Sequence, residues 1–147
     1  MEKFPQLDHV VINTAQKMDF AEKLFNNLGF TLTPRGYHTL GSINHLMIFY
    51  SDYLELIGMP INTQVERLEI TSKPLGLNGL VFKTQNIEET YIHLKNIGME
   101  GEPPRTFSRP VEIEGKILDA RFSTVAVRAD IFPGGRVYFC EHGTPDL

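Results

Sequence analysis

Glu55 is the only charged residue in the run Tyr53-Leu54-Glu55-Leu56-Ile57. In an extended strand, alternate side chains face opposite sides, so Glu55 points away from Leu54 and Leu56. An ionised carboxylate in such a strand costs several kcal/mol if it is buried without a partner. A metal ion or a paired cation removes that cost. Near the amino terminus, Asp8-His9-Val10-Val11-Ile12-Asn13 carries a histidine in a β-like run, where His9 shares a face with Val11 while Val10 and Ile12 are left to pack on a helix. A second glutamate, Glu141, occupies the comparable run Phe139-Cys140-Glu141-His142. His142 points to the opposite face from Glu141, so the two do not bind one ion unless a bulge re-aims the strand end. Cys140 also faces away from Glu141 and reads as a small buried hydrophobe, not a nucleophile. The plain alternative is a hydrogen-bonded strand-end histidine at His9 and a solvated or salt-bridged Glu55. His45, among Ile43 and Met47, and His93, on a helix, read as structural, and the arginines at 105, 109, 121 and 128 as surface residues.

The elements that must position these groups follow from periodicity. A strand over Asp8 to Asn13 is followed by helical spacing from Met18 to Leu28, with Phe20, Ala21, Leu24, Phe25 and Leu28 on one stripe and Gly29 as the terminator. Strands are expected at Phe30 to Tyr37, Ile43 to Phe49 and Tyr53 to Ile57. After a polar connector the same order restarts. Gly79 to Lys83 reads as a strand and Ile87 to Ile97 as a helix, capped by Asn86 with Glu89 three residues on and stopped by Gly98. The buried stripe of that helix is Ile87, Tyr91, Leu94 and Ile97. Strands at Arg105 to Ile113, Ile117 to Val127 and Arg136 to Glu141 follow, with turns at Glu114-Gly115 and Phe132-Pro133-Gly134-Gly135.

The two halves repeat. Asn27-Leu28-Gly29-Phe30 matches Asn96-Ile97-Gly98-Met99 at an offset of 69, and each half ends in a strand with a glutamate near its end. The expected fold is α+β with two βαβββ modules, at 1–59 and 78–147, joined by a connector at 60–77 and forming one domain. The chain has 147 residues with 41% hydrophobic residues, enough for a core. Fourteen basic against eighteen acidic side chains give a formal charge of -4, which makes nucleic acid and anionic membrane poor partners. One cysteine leaves no internal disulfide. No apolar run approaches the roughly 18 residues of a membrane span. A cytoplasmic protein is expected.

With Leu7-Asp8-His9-Val10-Val11-Ile12 opening the first module and Asp52-Tyr53-Leu54-Glu55-Leu56-Ile57 closing it, the chain resembles the vicinal oxygen chelate superfamily of glyoxalase I, extradiol dioxygenases, fosfomycin-resistance and bleomycin-binding proteins. The stretch Gly36-Tyr37-His38-Thr39-Leu40-Gly41-Ser42-Ile43-Asn44 is similar to its glyoxalase-like domain group. The likeness runs over nearly the whole chain and is strongest before Gly58. It implies paired modules whose sheets curl around a cavity, and a divalent metal held by the first and last strands of each. Carried onto this sequence, the implied ligands are His9, Glu55 and Glu141. The fourth place falls on Asn78, Gly79 or Leu80, none a usual strong ligand, and there the chain departs from the four-residue pattern of glyoxalase I. Glu141 is also the implied general base, and His38 and Asn44 are candidates for hydrogen bonds to substrate.

One imidazole with two carboxylates suits Zn, Mn, Fe or Ni, with open positions for a substrate carrying adjacent oxygens. The expected activity is that of a metal-dependent lyase, isomerase or dioxygenase. The competing expectation is a metal-free small-molecule binding or resistance protein like the bleomycin-binding relatives, which the missing fourth ligand supports and the absence of Trp weakens. The resemblance further implies a homodimer, and additional modules beyond this segment.

Overall fold

The computed structural model of the chain describes residues 5–64 and 67–147. Residues 1–4 of the first expected module and residues 65 and 66 of the connector lie outside the described residues. The fold is α+β, and the βαβββ order occurs twice. The chain forms two compact units, His9–Asn78 and a second made of residues 5–8 with Gly79–Leu147. Among the described residues no helix is long and apolar enough to cross a membrane.

In the first unit, β1 (Leu7–Ala15) leads to α1 (Met18–Asn27), then β2 (Gly36–Tyr37), β3 (Ile43–Ile48) and β4 (Tyr53–Gly58). The strand order is β2-β3-β4-β1, with β1 parallel to β4 and the other pairs antiparallel. The core is Met18, Ala21, Ile43, Met47 and Leu56, with Ile12, Phe25, Leu32 and Leu54 packed against it. The broad stripe expected on α1 is only partly buried. Ala21 is buried and Phe25 half-buried, whereas Phe20 is 66% and Leu28 62% exposed. A helix meets a sheet along one line of contacts at spacings of three and four. Here Met18, Ala21 and Phe25 form that line, so Phe20, Leu24 and Leu28, four apart, are left outside it.

The strand expected from Phe30 to Tyr37 is only Gly36–Tyr37. Pro34 lacks an N–H and cannot extend a ladder. Thr33 instead makes a single clamp, its N–H donating to the Leu46 carbonyl at 2.9 Å and its hydroxyl accepting the Leu46 N–H at 2.9 Å. The connector contains a short helix, α2 (Leu68–Thr71). Buried Asn13 ties it to β1, donating to the carbonyls of Ile70, Lys73 and Pro74 at 2.8, 3.3 and 3.2 Å.

In the second unit, β5 (Gly76–Lys83) is followed by α3 (Ile87–Asn96), β6 (Arg105–Ile113), β7 (Lys116–Ala126) and β8 (Arg136–His142). The order is β5-β8-β7-β6, and Pro110 falls on β6 at the end of that order, where a missing donor is tolerated. Ile87, Leu94, Val125 and Val127 form the core, with Tyr91, Val137 and Phe139 against it. Ile97 is exposed, because α3 ends at Asn96. Asn86 caps α3 by accepting the Glu89 N–H at 3.1 Å, as the Asn-to-Glu spacing implies.

The internal repeat has a physical meaning in the helix ends. Gly29 and Gly98 have φ of +100° and +70°. Phe30 N–H bonds back to the Phe25 carbonyl and Met99 N–H to the Leu94 carbonyl, at 3.1 and 2.9 Å. This is the same left-handed helix terminator built twice. Gly58 is required for a different reason. A Cβ there would meet the Thr14 hydroxyl and, at 2.7 Å, the backbone oxygen of Ala15, which cannot swing aside. Gly58→Ala is expected to cost about 1–3 kcal/mol by overpacking, read as a lower denaturant midpoint with the slope unchanged. An unchanged midpoint would contradict this packing.

Candidate functional site

The parallel register places His9 beside Tyr53 and Val11 beside Glu55. His9 and Glu55 therefore share a face of the sheet, and their side chains meet, with His9 Nε2 3.3 Å from Glu55 Oε1. Both are buried. The His9 ring lies flat on Tyr53, with centroids 4.4 Å apart and planes 9° from parallel. β3 supplies the other oxygen's partner. Leu46 pairs with Glu55 in the antiparallel register, so Asn44, two residues earlier, is on the same face, and its Nδ2 donates to Glu55 Oε2 at 2.8 Å.

Burial pushes the Glu55 carboxyl up. Against it, the His9 hydrogen bond and charge, the His38 charge and the Asn44 hydrogen bond hold it down at about 2. Hydrogen bonding and charge thus outweigh desolvation, and Glu55 stays a carboxylate at neutral pH.

His38 sits at the mouth of a turn in which Gly41, at φ +94°, reverses the chain. Its Nδ1 is 2.8 Å from the buried Ser42 hydroxyl. Arg67 Nη1 donates to that hydroxyl at 3.0 Å, and Arg67 Nε to Glu69 at 2.8 Å. Ser42, within the Gly36–Asn44 stretch, and Arg67 thus join the flank of the site. Arg67 lies in the aperiodic connector, where no spacing marks it.

His45 points to the helix side with Leu56. There its ring nitrogens lie 2.7 Å from the Thr33 carbonyl and 3.1 Å from Glu22, in keeping with a structural role. It lines an open cleft of about 530 Å³ together with Glu22, Thr33, Arg35 and Tyr37. His93 is exposed in the last turn of α3.

In the second unit, Glu141 Oε1 accepts the Ile87 N–H at 3.0 Å, at the start of α3. An acid there satisfies an orphan donor and complements the helix dipole. His142, on the other face of β8, has its Nε2 2.9 Å from Oδ1 of buried Asp8. No local pattern in the sequence links Asp8 and His142, which lie 134 residues apart. Of the implied ligands, the first unit brings together His9 and Glu55 with Asn44, and Glu141 is engaged by α3. Asn78 is buried in β5.

These paired βαβββ modules, with a buried histidine–glutamate pair across the first and last strands of one of them, define a protein of the vicinal oxygen chelate superfamily. The glyoxalase-like domain family matches residues 7–147, and the chain belongs to that family. Among curated proteins none matches in sequence. In fold, the chain is similar to a hypothetical protein from Staphylococcus aureus, with 19% identity and TM-score 0.75, over 95% of this chain and 60% of that one. The chain thus spans less than two thirds of that relative's length. It is also similar to a hypothetical protein of Bacillus halodurans C-125, with 19% identity and TM-score 0.66 over 95% of each chain. A third similar structure is the methylmalonyl-CoA epimerase of Mycobacterium tuberculosis, at 18% identity and TM-score 0.62, over 95% of this chain and 89% of that one.

Proposed function

We propose that this protein is a small-molecule enzyme that holds a divalent cation at His9 and Glu55 and acts on a substrate bearing neighbouring oxygens. The observation that carries the reading is the convergence of one imidazole nitrogen and one ionised carboxylate oxygen, 3.3 Å apart, in a buried position. Two donors bound at about 2.0–2.2 Å to one ion stand about 3.0–3.4 Å apart at right or tetrahedral angles. The pair fits that spacing without rearrangement. When bound, such a cation polarises a substrate oxygen as a Lewis acid.

The chain's own residues set the rest. A carboxyl held at about 2 is a poor general base and a good anionic ligand. Asn44 fixes the second Glu55 oxygen, and Tyr53 fixes the His9 ring plane, the kind of outer support that orients ligands. In this reading His38, whose Nδ1 lies 2.8 Å from the Ser42 hydroxyl, hydrogen-bonds a polar substrate. Among the fold relatives, one methylmalonyl-CoA epimerase is seen with methylmalonyl-CoA. The thioester and carboxylate oxygens of such a molecule are the type of chelating pair this reading requires, for lyase, isomerase or dioxygenase chemistry.

The test is metal content of tag-free protein by elemental mass spectrometry, on the wild type and on a folded His9→Ala variant. The variant is expected to carry about one ion per chain fewer than the wild type. Equal metal content in the variant and the wild type overturns the assignment, and no uptake of Zn, Mn, Fe or Ni by the wild type moves the function to metal-free ligand binding. Glu141→Gln separates the two roles of that carboxyl. As the partner of Ile87 N–H the glutamine oxygen still accepts, so only the charge at the helix start is lost, about 0.3–1 kcal/mol of stability, with metal content unchanged. Loss of the metal would instead make Glu141 the third ligand.

A further inference from the structure

The second unit carries a separate set of donors. We propose that Asp8, Cys140 and His142 form a cation site of the Zn²⁺ class, independent of the His9–Glu55 reading and built from different chemistry.

Each of the three residues offers one donor atom, and these atoms all lie within 4.8 Å of one another. The geometry that gathers them is that of β8. Alternation along the strand puts Cys140 and His142 on one face and Glu141 on the other, where α3 engages it. Asp8 meets this face through His142, Nε2 to Oδ1 at 2.9 Å. The register sets Thr124 beside Cys140 and Phe122 beside His142, and the Phe122 ring stands edge-on to the imidazole with centroids 5.2 Å apart. Asp8 and Cys140 are buried, while the His142 side chain is 31% exposed.

A thiolate, an imidazole and a carboxylate make a mixed S, N and O set. The sulfur selects against Mg²⁺, Ca²⁺ and Mn²⁺ and in favour of Zn²⁺ or its surrogate Co²⁺. Around a tetrahedral zinc such donors stand about 3.3–3.6 Å apart, so side-chain rotations alone close the cluster. The charges also match. A dication with Asp8 and Cys140 as anions leaves no net charge in a setting where an unbalanced one is costly. Three protein donors leave a fourth position, and the partial exposure of His142 puts it toward solvent, the pattern of an open zinc site.

The experiment uses the full chain, stripped with chelator and titrated with CoCl₂. A thiolate-to-cobalt charge-transfer band in the near ultraviolet that rises to saturation is expected. It should vanish in Cys140→Ser, require at least about tenfold more cobalt in His142→Ala and in the shape-conserving Asp8→Asn, and persist unchanged in Glu55→Gln. ZnCl₂ should displace the cobalt and bleach the band. Absence of a thiolate band at saturating cobalt overturns the proposal. Cobalt bound without that band and lost in Glu55→Gln also overturns it, and assigns the ion to His9 and Glu55 instead. A thiolate band with no ion lost in Glu55→Gln upholds this site while refuting the other, so the two readings fail separately.

Discussion

Glu55→Ala is expected to lower divalent-metal affinity by about 100-fold or more, since it removes a direct ligand and not merely an outer support. It should also destabilise the first unit by about 3–5 kcal/mol, the range for breaking a buried ionic pair by deleting one partner. The stranded groups are named by the geometry. His9 Nε2 loses its neighbour at 3.3 Å and the Asn44 amide loses its acceptor at 2.8 Å. Glu55→Gln keeps the shape and one carbonyl acceptor but not the charge, so its metal loss should approach that of the alanine variant with a smaller fall in stability. Elemental analysis together with denaturant unfolding measures both. An alanine variant that holds as much metal as the wild type would remove Glu55 from the ligand set, and one as stable as wild type would contradict the buried pair itself.

Acid should unfold the first unit through the same residue. The Glu55 carboxyl lies at about 2 in the folded chain against an ordinary 4.5, so the unfolded state binds the proton first as pH falls. The stabilisation is complete above about pH 4.5 and disappears between there and about pH 2, and its size is roughly 3 kcal/mol from the displacement of the carboxyl. In Glu55→Gln this part of the acid limb should be missing, so the difference in unfolding free energy between wild type and variant shrinks as pH drops through that window. Urea titrations of metal-free protein at pH 6, 4 and 3 measure it. A difference that stays constant across the three would show that Glu55 is not held ionised by its neighbours.

Much of this molecule is determined by local sequence. The repeated Asn-hydrophobe-Gly-hydrophobe segment specifies two left-handed helix ends at Gly29 and Gly98, because only glycine takes that conformation freely. Asn86 and Glu89 specify the start of α3. β6 occupies Arg105–Ile113, the range its composition implies, and β8 gains only His142. Strand parity also separates Glu141 from His142 and aligns His9 with Val11, since alternation is a property of the strand alone. The failures fall where local preference meets a tertiary choice. Residues 30–35 have strand-like composition but lie outside β2 and meet β3 through the Thr33 backbone, and α1 buries just the line that touches the sheet.

Partner selection belongs to the tertiary structure. The sequence marks Glu55 as needing a counterion, and the parallel β1–β4 register together with the antiparallel β3–β4 register decides that His9 and Asn44 supply the contacts. It marks Glu141 as a carboxylate at a strand end, and the packing of α3 gives that carboxyl to Ile87 N–H. It gives no sign that Arg67 reaches Ser42, or that Asp8 reaches His142 across most of the chain. Periodicity reports which side of an element a residue occupies, a property set by bonded geometry over a few residues. Which distant group lies opposite depends on strand order and register, which the whole folded chain fixes at once.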